Sequence, residues 1–93
     1  LTLTYQGDRQ KRTVEELAEG LGAARVLQCD VSQDAELSAL AAHLTEQGAT
    51  LDSVIHSIAF ANPEALSRPF SETSRAGFAL AHDVSAYSLV ALA

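Results

Sequence analysis

Strand-like and helix-like stretches alternate along these 93 residues, and this alternation constrains the fold more than any other feature. Residues 1–5, 25–31 and 51–57 have the short apolar or alternating pattern that is typical of β-strands. Apolar residues recur at helical spacing in residues 14–21 and 37–44, and again from about residue 73 onward. Strands separated by helices form right-handed crossovers and a parallel sheet. The predicted fold class is therefore α/β, with the element order β-α-β-α-β-loop-α.

Turn-forming and capping residues indicate where these elements begin and end. Gly7 lies in the turn after the first strand, where we expect it to supply an unusual backbone angle. Gly22 follows the first helix as the expected C-terminal cap. Ser32 is the expected N-cap of the second helix. Residues 62–71 hold both prolines of the chain and are predicted to form a loop.

Composition excludes several classes of function. A hydrophobic content of 47% argues against disorder, and a net charge of −6 disfavours binding to nucleic acid or to an anionic membrane. The single cysteine excludes an internal disulfide and a cysteine-based zinc site, and we expect no metal site. No signal peptide is visible, and no charge-free apolar run is long enough to cross a bilayer. These features predict a cytoplasmic α/β protein.

The two ends of the sequence lie inside predicted elements. The chain begins within a strand pattern without methionine and ends within the apolar helix pattern of residues 89–93. The five glycines stand apart, so a glycine-rich dinucleotide fingerprint is absent. We therefore interpret residues 1–93 as one partial domain that is truncated at both ends.

Three motifs carry a resemblance to a known family. Residues 27–31 are Leu-Gln-Cys-Asp-Val, residues 54–61 are Val-Ile-His-Ser-Ile-Ala-Phe-Ala, and residues 82–88 are His-Asp-Val-Ser-Ala-Tyr-Ser. Together they resemble the NADH-dependent enoyl-acyl-carrier-protein reductases of the short-chain dehydrogenase/reductase superfamily. Other members carry an Asn-Asn-Ala-Gly-like turn at the second motif. The resemblance implies that residues 1–93 are part of a dinucleotide-binding domain with the doubly wound parallel sheet of a Rossmann fold.

The resemblance also implies a reaction and partners. Family members transfer a hydride from NADH to a trans-2-enoyl thioester carried by acyl carrier protein, a step of fatty-acid synthesis. Their catalytic tyrosine and lysine are expected downstream of Ala93, so no catalytic residue is assigned within this segment. The matching C-terminal helix implies a homotetramer. Two alternatives stay open: another short-chain dehydrogenase/reductase, and a nucleotide-binding sensor that has lost the catalytic pair.

At the adenosine end of NADH, the resemblance implies contacts with Asp30, Val31 and Gln6. The carboxylate of Asp30 would accept from the adenine amine, and the backbone N–H of Val31 would meet a ring nitrogen. From spacing alone, a turn or capping carboxylate is an equally good interpretation of Asp30. Gln6 would meet the adenosine ribose, and its neutral side chain favours NADH over NADPH. The basic cluster at residues 9–12 leaves NADPH open, although a solvated basic face is the better interpretation of that cluster.

The second group of candidate residues follows the third predicted strand. The resemblance implies that Ser57, Ile58 and Ala59 contact the cofactor, while Phe60 and Ala61 line the substrate side of the pocket. Spacing alone favours small residues that close a tight turn. His56 is interpreted as a hydrogen-bonded structural histidine. In the last helix, Ser85 occupies the place of an asparagine that is catalytic in other superfamily members, and Tyr87 is interpreted as a packing residue.

Overall fold

Two parallel strands, β1 (Thr2–Tyr5) and β2 (Arg25–Gln28), form the sheet in the computed structural model, which describes residues 1–22 and 25–93. Thr2 pairs with Arg25 and Tyr5 with Gln28. The backbone N–H of Cys29 extends the pairing by donating to the carbonyl of Tyr5 at 2.9 Å. Helix α1 (Asp8–Gly20) connects the strands, which confirms the predicted parallel β-α-β unit.

Helices α1 and α2 (Asp34–Glu46) flank β2 in the sequence, and each is followed by a glycine with positive φ. Gly22 has φ +76° and Gly48 has φ +60°. Glycine adopts this left-handed conformation without the steric cost that other residues bear. The predicted end of α1 at Gly22 is therefore confirmed. These elements belong to the first of two compact units, Leu1–Thr50 and Leu51–Ala93.

Two predictions about turn residues in the first unit are wrong. Gly7 has φ −167°, an extended conformation that any residue adopts, so it supplies no unusual backbone angle. Gln33, not Ser32, is the N-cap of α2, and no side chain caps this helix. Ser32 lies one residue before the cap position, and its hydroxyl donates to the carboxylate of Asp30.

The second unit begins with an extended segment and ends in a long helical region. After residues 51–62 come α3 (Pro63–Ser67) and a 3₁₀ turn (Phe70–Glu72). Helix α4 (Arg75–His82) follows, and it continues into a π-helical turn (Asp83–Tyr87) and α5 (Ser88–Leu92). Ser74 caps α4 by accepting a hydrogen bond from the backbone N–H of Gly77 at 3.0 Å. The predicted final helix is thus present, interrupted by one π turn.

Two predictions about the second unit need correction. Residues 51–57 are not a paired strand, because a strand requires a ladder of backbone hydrogen bonds and none involves residues 51–58 within the described ranges. Residues 62–71 are not wholly a loop, because Pro63 begins α3. The fixed φ of proline suits the first position of a helix, where its missing N–H is not needed.

Candidate functional site

Asp30 lies two residues after the end of β2, at the start of a turn, and both of its carboxylate oxygens accept hydrogen bonds. Its Oδ1 accepts hydrogen bonds from the backbone N–H of Ser32 at 2.9 Å and from the Ser32 hydroxyl at 2.7 Å. Its Oδ2 accepts from Nε2 of Gln6 at 3.0 Å. The structure therefore brings together two candidate residues that are 24 positions apart, at the carboxyl ends of the two strands.

Glu36, which sequence reasoning did not assign to the site, fixes the backbone of this turn. Its Oε2 accepts from the backbone N–H of Asp30 at 2.6 Å. A carboxylate in the first turn of a helix that reaches back to a preceding N–H is the signal that would have identified it.

The backbone N–H of the half-buried Val31 makes no hydrogen bond within the described residues. Oδ2 of Asp30 accepts one hydrogen bond, so an acceptor position remains on this residue and a donor on the next one.

The charge of Asp30 is stabilised by this turn. Hydrogen bonds from Ser32, first from its backbone N–H and then from its hydroxyl, lower the pKa of Asp30 below the ordinary 3.8. Partial burial opposes the shift, and the Gln6 amide adds to it. Because the folded-state pKa is depressed, ionised Asp30 stabilises the fold at pH values above 3.8, and this contribution disappears as the pH falls through the folded-state pKa.

We expect an NMR titration of the intact protein to give Asp30 a pKa below 3.8. The substitution Ser32→Ala should raise this pKa, because it removes the hydroxyl donor and keeps the backbone donor. Ser38→Ala, at an exposed serine of α2, is the matched control and should leave the pKa unchanged. An identical Asp30 pKa in the Ser32→Ala variant would contradict the role of the hydroxyl.

Cys29 precedes Asp30 and is a buried packing residue. Burial raises the pKa of its thiol, and the negative charges of Glu36 and Asp30 raise it further. A thiol with a raised pKa is a poor nucleophile at neutral pH. This agrees with a packing role for Cys29.

The basic residues of α1 differ in their surroundings. Lys11 pairs with Glu15 at 4.0 Å, and Nε of Arg12 pairs with Oε1 of Glu16 at 2.8 Å. Arg9, on the first turn, is exposed and forms no ion pair within the described part of the chain. Arg9 is therefore the basic side chain of this cluster whose charge is not already matched by a glutamate.

The second unit holds the other candidate residues between two hydrogen-bonded anchors. Nε2 of His56 lies 2.7 Å from the hydroxyl of the fully buried Ser88. At the other end, the Ser85 hydroxyl accepts from the backbone N–H of Phe60 at 3.0 Å and lies 3.2 Å from its carbonyl oxygen. His56 is therefore hydrogen-bonded, as expected for a structural histidine. Sequence reasoning assigned no role to Ser88.

An open cavity of about 550 Å³ lies in the same unit. This volume is within the range of small-molecule sites. Its walls are mostly apolar and come from Ala59, Phe60, Ala61, Leu66, Ala81, His82, Ser85 and Ala86. The structure thus places the two candidate substrate residues on one cavity wall.

Within residues 1–22 and 25–93, none of the helices is long and apolar enough to span a membrane. In the same ranges, no three or more histidine, cysteine, aspartate or glutamate side chains are grouped so that they could hold a metal ion.

Comparison with known proteins identifies the family. The family model described as enoyl-(acyl carrier protein) reductase matches residues 1–93. The chain is 44% identical over 94 residues to the enoyl-[acyl-carrier-protein] reductase [NADH] FabI of Escherichia coli, covering 100% of the chain and 36% of that relative.

Solved structures show the same similarity. The enoyl-[acyl-carrier-protein] reductase (NADH) of Aquifex aeolicus has a TM-score of 0.93 and 41% identity over 99% of this chain and 36% of its own. The Bacillus cereus enoyl-acyl carrier protein reductase, solved with NADP+ and indole naphthyridinone, has a TM-score of 0.89 and 45% identity over 96% of this chain and 35% of its own.

These similarities confirm the predicted α/β class of a partial Rossmann fold. The chain spans about 36% of the length of the relatives it matches. Because the family model matches every residue from 1 to 93, the chain belongs to the enoyl-(acyl carrier protein) reductase family.

Proposed function

We propose that these 93 residues form part of an NADH-dependent enoyl-acyl-carrier-protein reductase of fatty-acid synthesis. The observation that carries the proposal is the match of the whole chain, at 44% identity, to a reductase named for this substrate and for NADH. The enzyme reduces trans-2-enoyl thioesters held by acyl carrier protein. The nicotinamide supplies the hydride, and the tyrosine and lysine that assist it are expected downstream of Ala93. The segment contributes a share of the dinucleotide-binding domain.

Asp30 and Val31 are proposed to bind the adenine ring. Adenine presents an amine donor next to a ring-nitrogen acceptor. The acceptor position on Oδ2 of Asp30 and the N–H of Val31 offer the complementary pair. Directed polar contacts of this kind fix the orientation of a flat ring in a pocket. The turn with Ser32 and the bond to Glu36 hold this pair in place before the cofactor binds.

Gln6 is proposed to lie beside the adenosine ribose. Its amide already contacts Asp30, which supports a shared role at the adenosine end of the cofactor. A neutral amide can hydrogen-bond the ribose 2′-hydroxyl of NADH, but it brings no positive charge for the 2′-phosphate of NADPH.

The segment from Ser57 to Ala61 is proposed to serve both cofactor and substrate. Ser57, Ile58 and Ala59 would border the cofactor, while Phe60 and Ala61 would line the acyl side. The cavity lined by Phe60 and Ala61 supports their substrate role, because its apolar walls suit a hydrocarbon chain. Ala59 lines the same cavity and would lie where cofactor and substrate meet.

We propose that the enzyme is a homotetramer in which the C-terminal helices meet a second copy. Phe78, Leu89 and Val90 are 51%, 50% and 69% exposed. Apolar side chains left uncovered along one helical region favour a subunit contact. Sedimentation of the full-length enzyme measures this directly, and a monomer at micromolar concentration would contradict it.

The proposed activity is tested by following oxidation of NADH with a trans-2-enoyl thioester in a full-length reductase that carries this segment. We expect kcat/KM to be higher with NADH than with NADPH by about tenfold or more, the ratio that one missing charge-assisted hydrogen bond produces. An absence of thioester-dependent oxidation with either coenzyme would contradict the proposal. It would favour the sensor alternative.

Arg9 provides the sharper test of coenzyme choice. If NADPH is used as well as NADH, Arg9 is the residue we expect to reach its 2′-phosphate. Arg9→Gln should then lower kcat/KM for NADPH and not for NADH. Arg12→Gln is the matched control, because the charge of Arg12 is already paired with Glu16.

A further inference from the structure

The π-helical turn Asp83–Tyr87 changes the backbone hydrogen bonding of the helix at Ser88. The backbone N–H of Ser88 bonds to the carbonyl of Asp83, five residues earlier. In a regular α-helix this N–H would bond to the carbonyl of Val84. The Ser88 hydroxyl takes over that role and donates to the Val84 carbonyl at 2.7 Å. Ser88 is fully buried, where an unpaired hydroxyl is costly.

This donation fixes the direction of the hydrogen bond to His56. A serine hydroxyl has one hydrogen, and that of Ser88 is used on Val84. The contact of 2.7 Å with Nε2 of His56 is therefore assigned as a hydrogen bond in which the imidazole donates, and this assignment corresponds to the tautomer with its proton on Nε2.

Ser85 forms a second anchor, three residues before Ser88. Residues three apart lie on the same face of a helix. The Ser85 hydroxyl accepts a hydrogen bond from the backbone N–H of Phe60 at 3.0 Å and donates one to the backbone carbonyl of Phe60 at 3.2 Å. His56 and Phe60 flank residues 57–59, which make no backbone–backbone hydrogen bonds within the described ranges. The two serines thus hold both ends of a segment that has little other support.

We infer that Ser85 and Ser88 are positioning residues that fix the backbone of residues 57–59 for cofactor binding. The inference rests on the proposed function, which places residues 57–59 beside the cofactor. Neither serine needs to touch the cofactor, because each acts through a neighbour, Ser88 through His56 and Ser85 through Phe60. A segment held in its binding conformation loses less entropy when the cofactor binds.

The test uses Ser88→Ala and Ser85→Ala in the full-length reductase. We expect each substitution to raise the KM for NADH about fivefold, as expected for one lost hydrogen bond, with little change in kcat. Amide hydrogen exchange at residues 57–60 should become faster. Ser85→Thr keeps the hydroxyl and His56→Gln keeps a donor toward Ser88, so both should restore values close to the parent. Ser71→Ala, at an exposed serine of the same unit, is the control.

Hydrogen exchange separates failure of the inference from failure of the proposed function. Unchanged exchange and unchanged KM in both alanine variants would overturn the inference even if the enzyme reduces enoyl thioesters. Equal impairment by Ser85→Thr and Ser85→Ala would also overturn it, because the hydroxyl would then be irrelevant. Faster exchange in variants of a protein that has no reductase activity would support the anchoring and reject the proposed function.

Discussion

Replacing Asp30 by alanine should weaken the binding of NADH to the full-length reductase by about 1–3 kcal/mol, the usual cost of removing one partner of a polar contact. The rate of the chemical step should change less, because the adenine end of the cofactor is remote from the hydride that is transferred. Titration of cofactor fluorescence measures the affinity, and single-turnover kinetics measure the chemical step. Unchanged affinity would remove Asp30 from the site.

Asp30 also accepts hydrogen bonds from Ser32 within its own turn, so Asp30→Ala changes the turn as well as the proposed adenine contact. A control that changes only the turn is therefore needed. Ser32→Ala removes one hydrogen bond of the turn and keeps the carboxylate. If Asp30 contacts adenine directly, Ser32→Ala should leave the affinity nearly unchanged. If the affinity depends only on the shape of the turn, Ser32→Ala should weaken binding as Asp30→Ala does.

Residues 1–93 expressed alone should neither reduce an enoyl thioester nor bind NADH tightly. The five separate glycines provide no phosphate-binding turn, where a helix N-terminus and backbone N–H groups would hold the charge of the cofactor. The resemblance implies a catalytic tyrosine with a lysine seven residues later. Lys11, the only lysine, follows Tyr5 by six residues and lies far before Tyr87, so these 93 residues lack that arrangement. Activity should therefore be absent, not merely reduced.

The isolated segment should also be poorly folded. Within the described residues, Ala18 and Cys29 are the buried hydrophobic residues, which is a small core. Exposed Leu89 and Val90 favour aggregation. Thermal denaturation, size-exclusion chromatography and the thioester assay test this expectation. A cooperative unfolding transition, monomeric elution and thioester-dependent oxidation of NADH would together refute it.

Local signals in the sequence were sufficient for the family and for part of the fold. The three motifs identified the enoyl reductases, which the family model and the relatives confirm. Strand β1, strand β2 and the end of α1 at Gly22 were also predicted correctly, because periodicity and glycine conformation act over a few residues. The roles of Gln6, Asp30, Val31 and residues 57–61 in binding stay predictions.

Features that depend on distant partners were decided only by the tertiary structure. The predicted third strand fails because a strand exists only when a neighbour offers it a hydrogen-bond ladder. Ser32 was predicted to cap α2, but the helix begins one residue later, with Gln33 at the cap position, and Ser32 belongs to the turn of Asp30. The bonds from Gln6 to Asp30 and from His56 to Ser88 join residues 24 and 32 positions apart, and no local pattern specifies them. Sequence periodicity reports which face of an element is apolar, whereas the partner of each polar group depends on where folding brings the chain together.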